Sequence, residues 1–121
     1  MSVRVLIADD HRLFAEALRA ILSADDRIEV VGLAASGDDA VSQADDLHPD
    51  VVLMDISMPG LDGVQATRKI LDTRPGARVL MLTGSDAQED IEAARTAGAA
   101  GYMTKDRIAA ELVVAILDVA A

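Results

Sequence analysis

Asp9 and Asp10 stand side by side after the apolar run VRVLIA, Asp55 closes VVLMD, Thr83 closes RVLMLT, and Lys105 follows GYMT. Three carboxylates, a hydroxyl and an ammonium suit phosphoryl transfer to a carboxylate. A phosphoryl group in flight spreads charge over its equatorial oxygens, and catalysis is mostly positioning and neutralisation around one nucleophile. Three carboxylates brought together repel one another unless a cation joins them. Mg²⁺ suits such a site because it takes hard oxygen ligands, few of them carboxylates, and keeps positions for water and phosphate. Taken singly, each residue has a plainer role. The Asp9-Asp10 pair could cap a helix, Lys105 could be a solvated charge, and Thr83 and Ser85 could be turn residues. The combination favours chemistry, because each residue falls at the carboxyl end of a strand-like run.

Five such runs alternate with helical patterns, which implies a parallel sheet with right-handed crossovers. The expected fold is α/β, a flavodoxin-like (βα)5 doubly wound sheet with strand order 2-1-3-4-5. That order makes the four residue-bearing runs neighbours and leaves IEVVGLA at an edge, with the ligand site outside the carboxyl ends. In the first helix Leu13, Phe14, Ala17, Leu18, Ile21 and Leu22 recur at helical spacing and are expected to face the sheet. Ser36 with Asp39 three residues on resembles a capping box before Ala40, Val41 and Ala44, and Pro49 closes the next loop. The third helix carries Val64, Thr67, Ile70 and Leu71 inward and stops at Pro75-Gly76. The fourth is expected over Ala87 to Ala97, ending at Gly98, and the fifth from about Arg107 onward. Ser57, Met58, Pro59, Gly60 and Gly63 form a loop after Asp55 whose glycines let backbone approach the site.

The 121 residues fit one domain, 1–121. Eleven basic against twenty-one acidic residues give a net charge of −10, so no direct nucleic-acid binding by this piece is expected. The absence of cysteine excludes disulfides and thiolate chemistry, as in a reducing cytoplasm. The first strand begins almost at once, leaving no room for a signal peptide, and no apolar run reaches membrane-spanning length. Met54 and Met81 read as core filler, and His11 and His48 as exposed residues.

IADDH, VVLMDISMPGLDG, MLTGSD and AGAAGYMTKD resemble, in order and spacing, the motifs of response-regulator receiver domains of two-component signalling, most closely the NarL/LuxR type. The resemblance implies that Asp55 accepts a phosphoryl group from the phosphohistidine of a sensor histidine kinase. It implies that Asp10, Asp55 and the Ser57 carbonyl bind Mg²⁺ directly, with Asp9 acting through a water. Lys105 would pair with phosphoryl oxygens, Thr83 would bond to one of them, and Tyr102 would move inward as the switch residue. A helix-turn-helix DNA-binding output domain normally follows and is expected to be absent from this chain. The domain would be a regulatory phosphoacceptor and no enzyme, beyond taking part in its own phosphorylation and slow autodephosphorylation, which Ser57 and Ser85 would tune. Three departures are visible. Asp106 stands where many receivers have proline, Gly84 replaces a frequent alanine or serine, and Met103-Thr104 replaces two aliphatics.

Rival readings fit less well. A flavin or nucleotide module needs a phosphate-cradling loop where this chain has Asp-Asp. An aspartyl-phosphate phosphatase would show an acid two residues after the nucleophile, where Ser57 stands. A phosphorylation-independent interaction module would not need every site position filled. Two further expectations concern helices. The fourth has Ile91 as its only large apolar residue, so it buries little and should be the mobile element. The fifth, RIAAELVVAILDVAA, carries its acids Glu111 and Asp118 on one stripe, so some of Leu112, Val113, Val114, Leu117 and Val119 should be exposed, as a surface for a homodimer.

Overall fold

The structure, a computed structural model, describes residues 2–84 and 88–121. The expected helix start at Ala87 and the hydroxyl of Ser85 lie outside the described residues. In chain order come β1 (Val3–Ala8), α1 (Arg12–Ser23), β2 (Ile28–Ala34), α2 (Gly37–Leu47), β3 (Val51–Asp55), α3 (Gly63–Thr73), β4 (Arg78–Thr83), α4 (Gln88–Ala97) and β5 (Gly101–Thr104). A 3-10 turn over Lys105–Arg107 then leads into α5 (Ile108–Ala120). The strands are parallel in the order β2-β1-β3-β4-β5, so the doubly wound (βα)5 sheet read from the sequence is the fold observed.

The central strands bury both faces, and their residues divide by alternation. Val51 and Leu53 of β3 join one core with Leu18 and Leu22 of α1 and Ile108, Leu112 and Ile116 of α5. Val52 and Met54 join the other with Ala40 and Ala44 of α2, Ala66 and Ile70 of α3 and Ala94 of α4. Met54 and Met81 are fully buried, as core filler should be. A register shift between Val5 and Leu6 places an extra β2 residue, Val31, opposite β1.

The inward stripe of α1 differs from the one expected. Ala15, Leu18 and Leu22 face the core, Phe14 is half-buried, and Leu13, Ala17 and Ile21 point outward, Leu13 being 87% exposed. Apolar residues occupy so much of this helix's circumference that periodicity alone could not choose the face. The register of α1 on the sheet chose it. In α5 the buried stripe is Ile108, Leu112 and Ile116, while Val114 is 60% exposed. Of the aliphatics expected to include exposed ones, Leu112 is therefore core, and Val113, Leu117 and Val119 are half-buried.

Side chains complete the helix ends. Ser36 accepts from the Asp39 amide at 3.1 Å, but the Asp39 carboxylate accepts from the Ala35 amide, one residue earlier than in a capping box. The full box is at α3, between Asp62 and Gln65, and the sequence reading missed it. At the end of α2, exposed His48 adopts a left-handed conformation (φ 51), and the Arg4 guanidinium donates to the Leu47 and His48 carbonyls. Thr67, buried in the inward stripe of α3, donates its hydroxyl to the Gly63 carbonyl at 2.7 Å.

These burial patterns make Leu18 and Leu13 a paired test of α1. Leu18→Ala should cost about 2–5 kcal/mol in urea unfolding, whereas Leu13→Ala should stay within about 0.5 kcal/mol of the wild type. Equal losses would mean that α1 sits in the other register.

Candidate functional site

The carboxyl ends of β1, β3, β4 and β5 bring together Asp9, Asp10, Asp55, Thr83 and Lys105. The Asp9 amide donates to the Ala34 carbonyl, and the Ile56 amide to the Leu82 carbonyl, so the sheet ladder fixes the backbone at both acid positions. Gly63 brings α3 close behind Asp55. A Cβ there would lie 2.2 Å from the Asp55 carbonyl oxygen, so a side chain would force β3 and α3 apart. Gly60 serves the loop differently, through a positive φ of 71 in open space.

Asp9 and Asp55 are 2% and 3% exposed, while Asp10 is open to solvent. Lys105 spans the two buried acids, its Nζ lying 3.3 Å from Asp9 Oδ2 and 3.5 Å from Asp55 Oδ2. The other oxygens are held by backbone: Asp9 Oδ1 accepts from the His11 amide at 2.8 Å, and Asp55 Oδ1 from the Ser57 amide at 3.3 Å. Burial raises the pKa of Asp55 above the usual carboxylate value, and the charge of Asp9 adds to this. Lys105 and the Ser57 amide oppose both effects.

The donor set fits a hard divalent cation. Ligand atoms of Asp9, Asp10, His11 and Asp55 all lie within 4.8 Å of one another. Three carboxylates face one ammonium, and an oxygen-seeking ion is what relieves that excess. His11 is 70% exposed, as expected of a first-turn residue, yet its Nδ1 lies within 3.4 Å of both Asp9 and Asp10. Ser57, expected to offer its carbonyl, is tied to Asp55 through its amide.

Thr83 is 2% exposed, and its hydroxyl donates to Asp90 Oδ2 of α4 at 3.3 Å. Tyr102 is 46% exposed and lines an open cleft of about 890 Å³ with Gly84 and Ile91. Two neighbours of the site escaped the sequence reading. Asp90 comes within reach of Thr83 only through the placement of α4, and no local pattern announces it. Phe14, read as core, has the Lys105 ammonium 4.5 Å from its ring centroid. Its place one helical turn beyond Asp10 was the available signal.

Comparison with known proteins shows the family. Residues 5–117 match the response regulator receiver domain family. The response regulator GacA of Pseudomonas viridiflava is 44% identical over 114 residues, which are 94% of this chain and 53% of that protein. The transcriptional regulatory protein DegU of Brevibacillus brevis is 37% identical over 118 residues, 98% of this chain and 50% of that protein. The structure of the NarL signal receiver domain from Mycobacterium tuberculosis superposes with a TM-score of 0.93 at 38% identity, covering 98% of this chain and 96% of that one. The chain belongs to the response regulator receiver domains of two-component systems, and it spans about half the length of the curated relatives it matches.

The raised pKa of Asp55 fixes the sign of a pH effect. The folded chain holds this proton more tightly than the unfolded one, whose carboxylate has the ordinary value near 3.8. Stability is therefore lost as pH rises from that value through the folded pKa, and the loss is complete above it. In metal-free buffer Asp55→Asn should melt higher than the wild type at pH 7, with the difference shrinking toward zero as pH falls to the ordinary carboxylate value. A lower melting temperature for Asp55→Asn at pH 7 would contradict this account.

Proposed function

We propose that the chain is a phosphorylation-activated switch in which Asp55 takes a phosphoryl group from the phosphohistidine of a sensor histidine kinase. The observation that carries this reading is Lys105 held between two buried carboxylates that end neighbouring strands. In the transfer a carboxylate oxygen of Asp55 forms the new P–O bond while the P–N bond to the kinase histidine breaks, leaving an acyl phosphate. Lys105 moves its charge from the carboxylates to the phosphoryl oxygens. Asp10, Asp55 and the Ser57 carbonyl would hold Mg²⁺, with Asp9 acting through a water. When bound, the ion offsets the carboxylate charge that otherwise repels an incoming phosphoryl group.

Phosphate on Asp55 offers the Thr83 hydroxyl a stronger acceptor than Asp90, so the bond to α4 is given up. That helix buries only Ala94 and Ala97, with Ile91 half-buried, and shifts at small cost. Tyr102 then has the cleft beside Gly84 and Ile91 to turn into. The relatives are about twice as long and include a transcriptional regulatory protein, which supports a DNA-binding output domain joined to this one in the full-length regulator. The lack of cysteine is in keeping with a cytoplasmic place of work. No described helix is long and apolar enough to cross a membrane. A homodimer through α5 is supported by the exposure of Val114.

Acetyl phosphate with Mg²⁺, read by intact mass, should add one phosphate to the wild type and none to Asp55→Asn. Asp10→Ala should label no faster than the wild type in EDTA, and Lys105→Ala should be slower by about 10²-fold. Undiminished labelling in EDTA would reject the Mg²⁺ role, and labelling of Asp55→Asn would reject Asp55 as the acceptor; a wild type that takes up no phosphate would leave an interaction module that works without phosphorylation. Separately, beryllofluoride should quicken hydrogen exchange in α4 while leaving α1 unchanged. Sedimentation should detect self-association of the wild type that Val114→Asp weakens; a wild type that stays monomeric with and without beryllofluoride removes the α5 interface.

A further inference from the structure

We propose that Phe14 is a positioning residue for Lys105, a role that rests on the reading of Asp55 as phosphoacceptor. The ammonium of Lys105 lies 4.5 Å from the Phe14 ring centroid, inside the range of about 6 Å over which a ring's quadrupole attracts a cation. Its two carboxylate contacts, at 3.3 and 3.5 Å, are longer than the roughly 2.7–2.9 Å of a tight charge-assisted hydrogen bond. The acids therefore attract Lys105 without fixing it, and the ring supplies a wall on another side. Phe14 can serve as that wall because its own position is determined. It sits on α1 one turn after the acid pair, half-buried and packed against the core that α1 and α5 share.

This arrangement suits an ammonium that must change partners. A carboxylate or carbonyl in place of the ring would take up one of the three N–H donors and compete with phosphoryl oxygens. The ring face attracts the charge without directional demand, so the donors stay available as the ammonium passes from carboxylate to phosphoryl oxygen. Leucine at this place would keep the apolar packing, and hence the desolvation of the ammonium, but would remove the attraction that offsets it. The chain has one phenylalanine and one tyrosine, and that tyrosine, Tyr102, is on the exposed side of β5. No other phenylalanine, tyrosine or tryptophan ring is placed to replace Phe14, and the nearby His11 ring is engaged with Asp9 and Asp10.

The test compares Phe14→Leu, Phe14→Met and Phe14→Tyr with the wild type. Two readouts are used: the rate of phosphate incorporation from phosphoramidate with Mg²⁺, and the chemical shift of the Lys105 ε-methylene protons without any donor, which a ring face moves upfield. Phe14→Leu and Phe14→Met should lose the upfield shift and incorporate phosphate about threefold to tenfold more slowly, with melting temperatures near the wild type. Phe14→Tyr, which keeps the ring, should retain both properties. Wild-type rates in folded Phe14→Leu or Phe14→Met, or slowing of Phe14→Tyr equal to theirs, would overturn the proposal. A wild type with the upfield shift but no phosphate uptake would instead overturn the phosphoacceptor reading, and this role with it.

Discussion

Two buried carboxylates share one ammonium in this domain, and the rest of the structure is arranged around that electrostatic constraint. Asp9 and Asp55, both buried, would repel each other were Lys105 not between them, and burial already holds the Asp55 proton more tightly than water would. Burying charge in this way is poor design for stability, since a well-packed apolar pair of similar volume is often as good or better. Its persistence at the mouth of the sheet is explained by use: a site left short of positive charge draws a cation, and the cation and lysine together can receive an anion.

The fold meets this constraint through rigid parts. Ladder hydrogen bonds run past Asp9 and Asp55, so the backbone at both acids is set by the sheet and not by the loops that follow. Gly63 lets α3 close against the Asp55 carbonyl, and the Asp62–Gln65 box fixes where that helix begins. Lys105 arrives from the opposite side on a single 3-10 turn between β5 and α5. Asp9, Asp55 and Lys105 are thus carried by three separate elements that the strand order brings to one edge of the sheet.

The other half of the site is built to yield. Thr83 ends a central strand, but its hydroxyl is engaged by Asp90 on α4, a helix that rests mainly on alanines. Few apolar contacts hold such a helix, so an added charge at Asp55 need supply little free energy to move it. On the proposed reading, the division between a fixed acid pocket and a lightly held neighbour would let a charge added at Asp55 be felt at the adjoining helix.

The residues alone implied a parallel sheet and five chemistry-bearing groups at the ends of its strands; the order 2-1-3-4-5 was the arrangement that would make those strands neighbours, and the tertiary structure decided it. Short unbroken apolar runs that alternate with helical patterns and end at turn residues read as buried strands, and the position of a residue at a run's end does not depend on side-chain packing. The face of α1 was not legible, because Leu13, Ala17 and Ile21 are as apolar as Ala15, Leu18 and Leu22, and only docking on the sheet separates them. Nor were the partners that join distant segments: Asp90 for Thr83, and Phe14 beneath Lys105. Such pairings are decided by how each helix is rotated and set down against the sheet. That placement comes from the packing of the whole core, and no window of local sequence contains it.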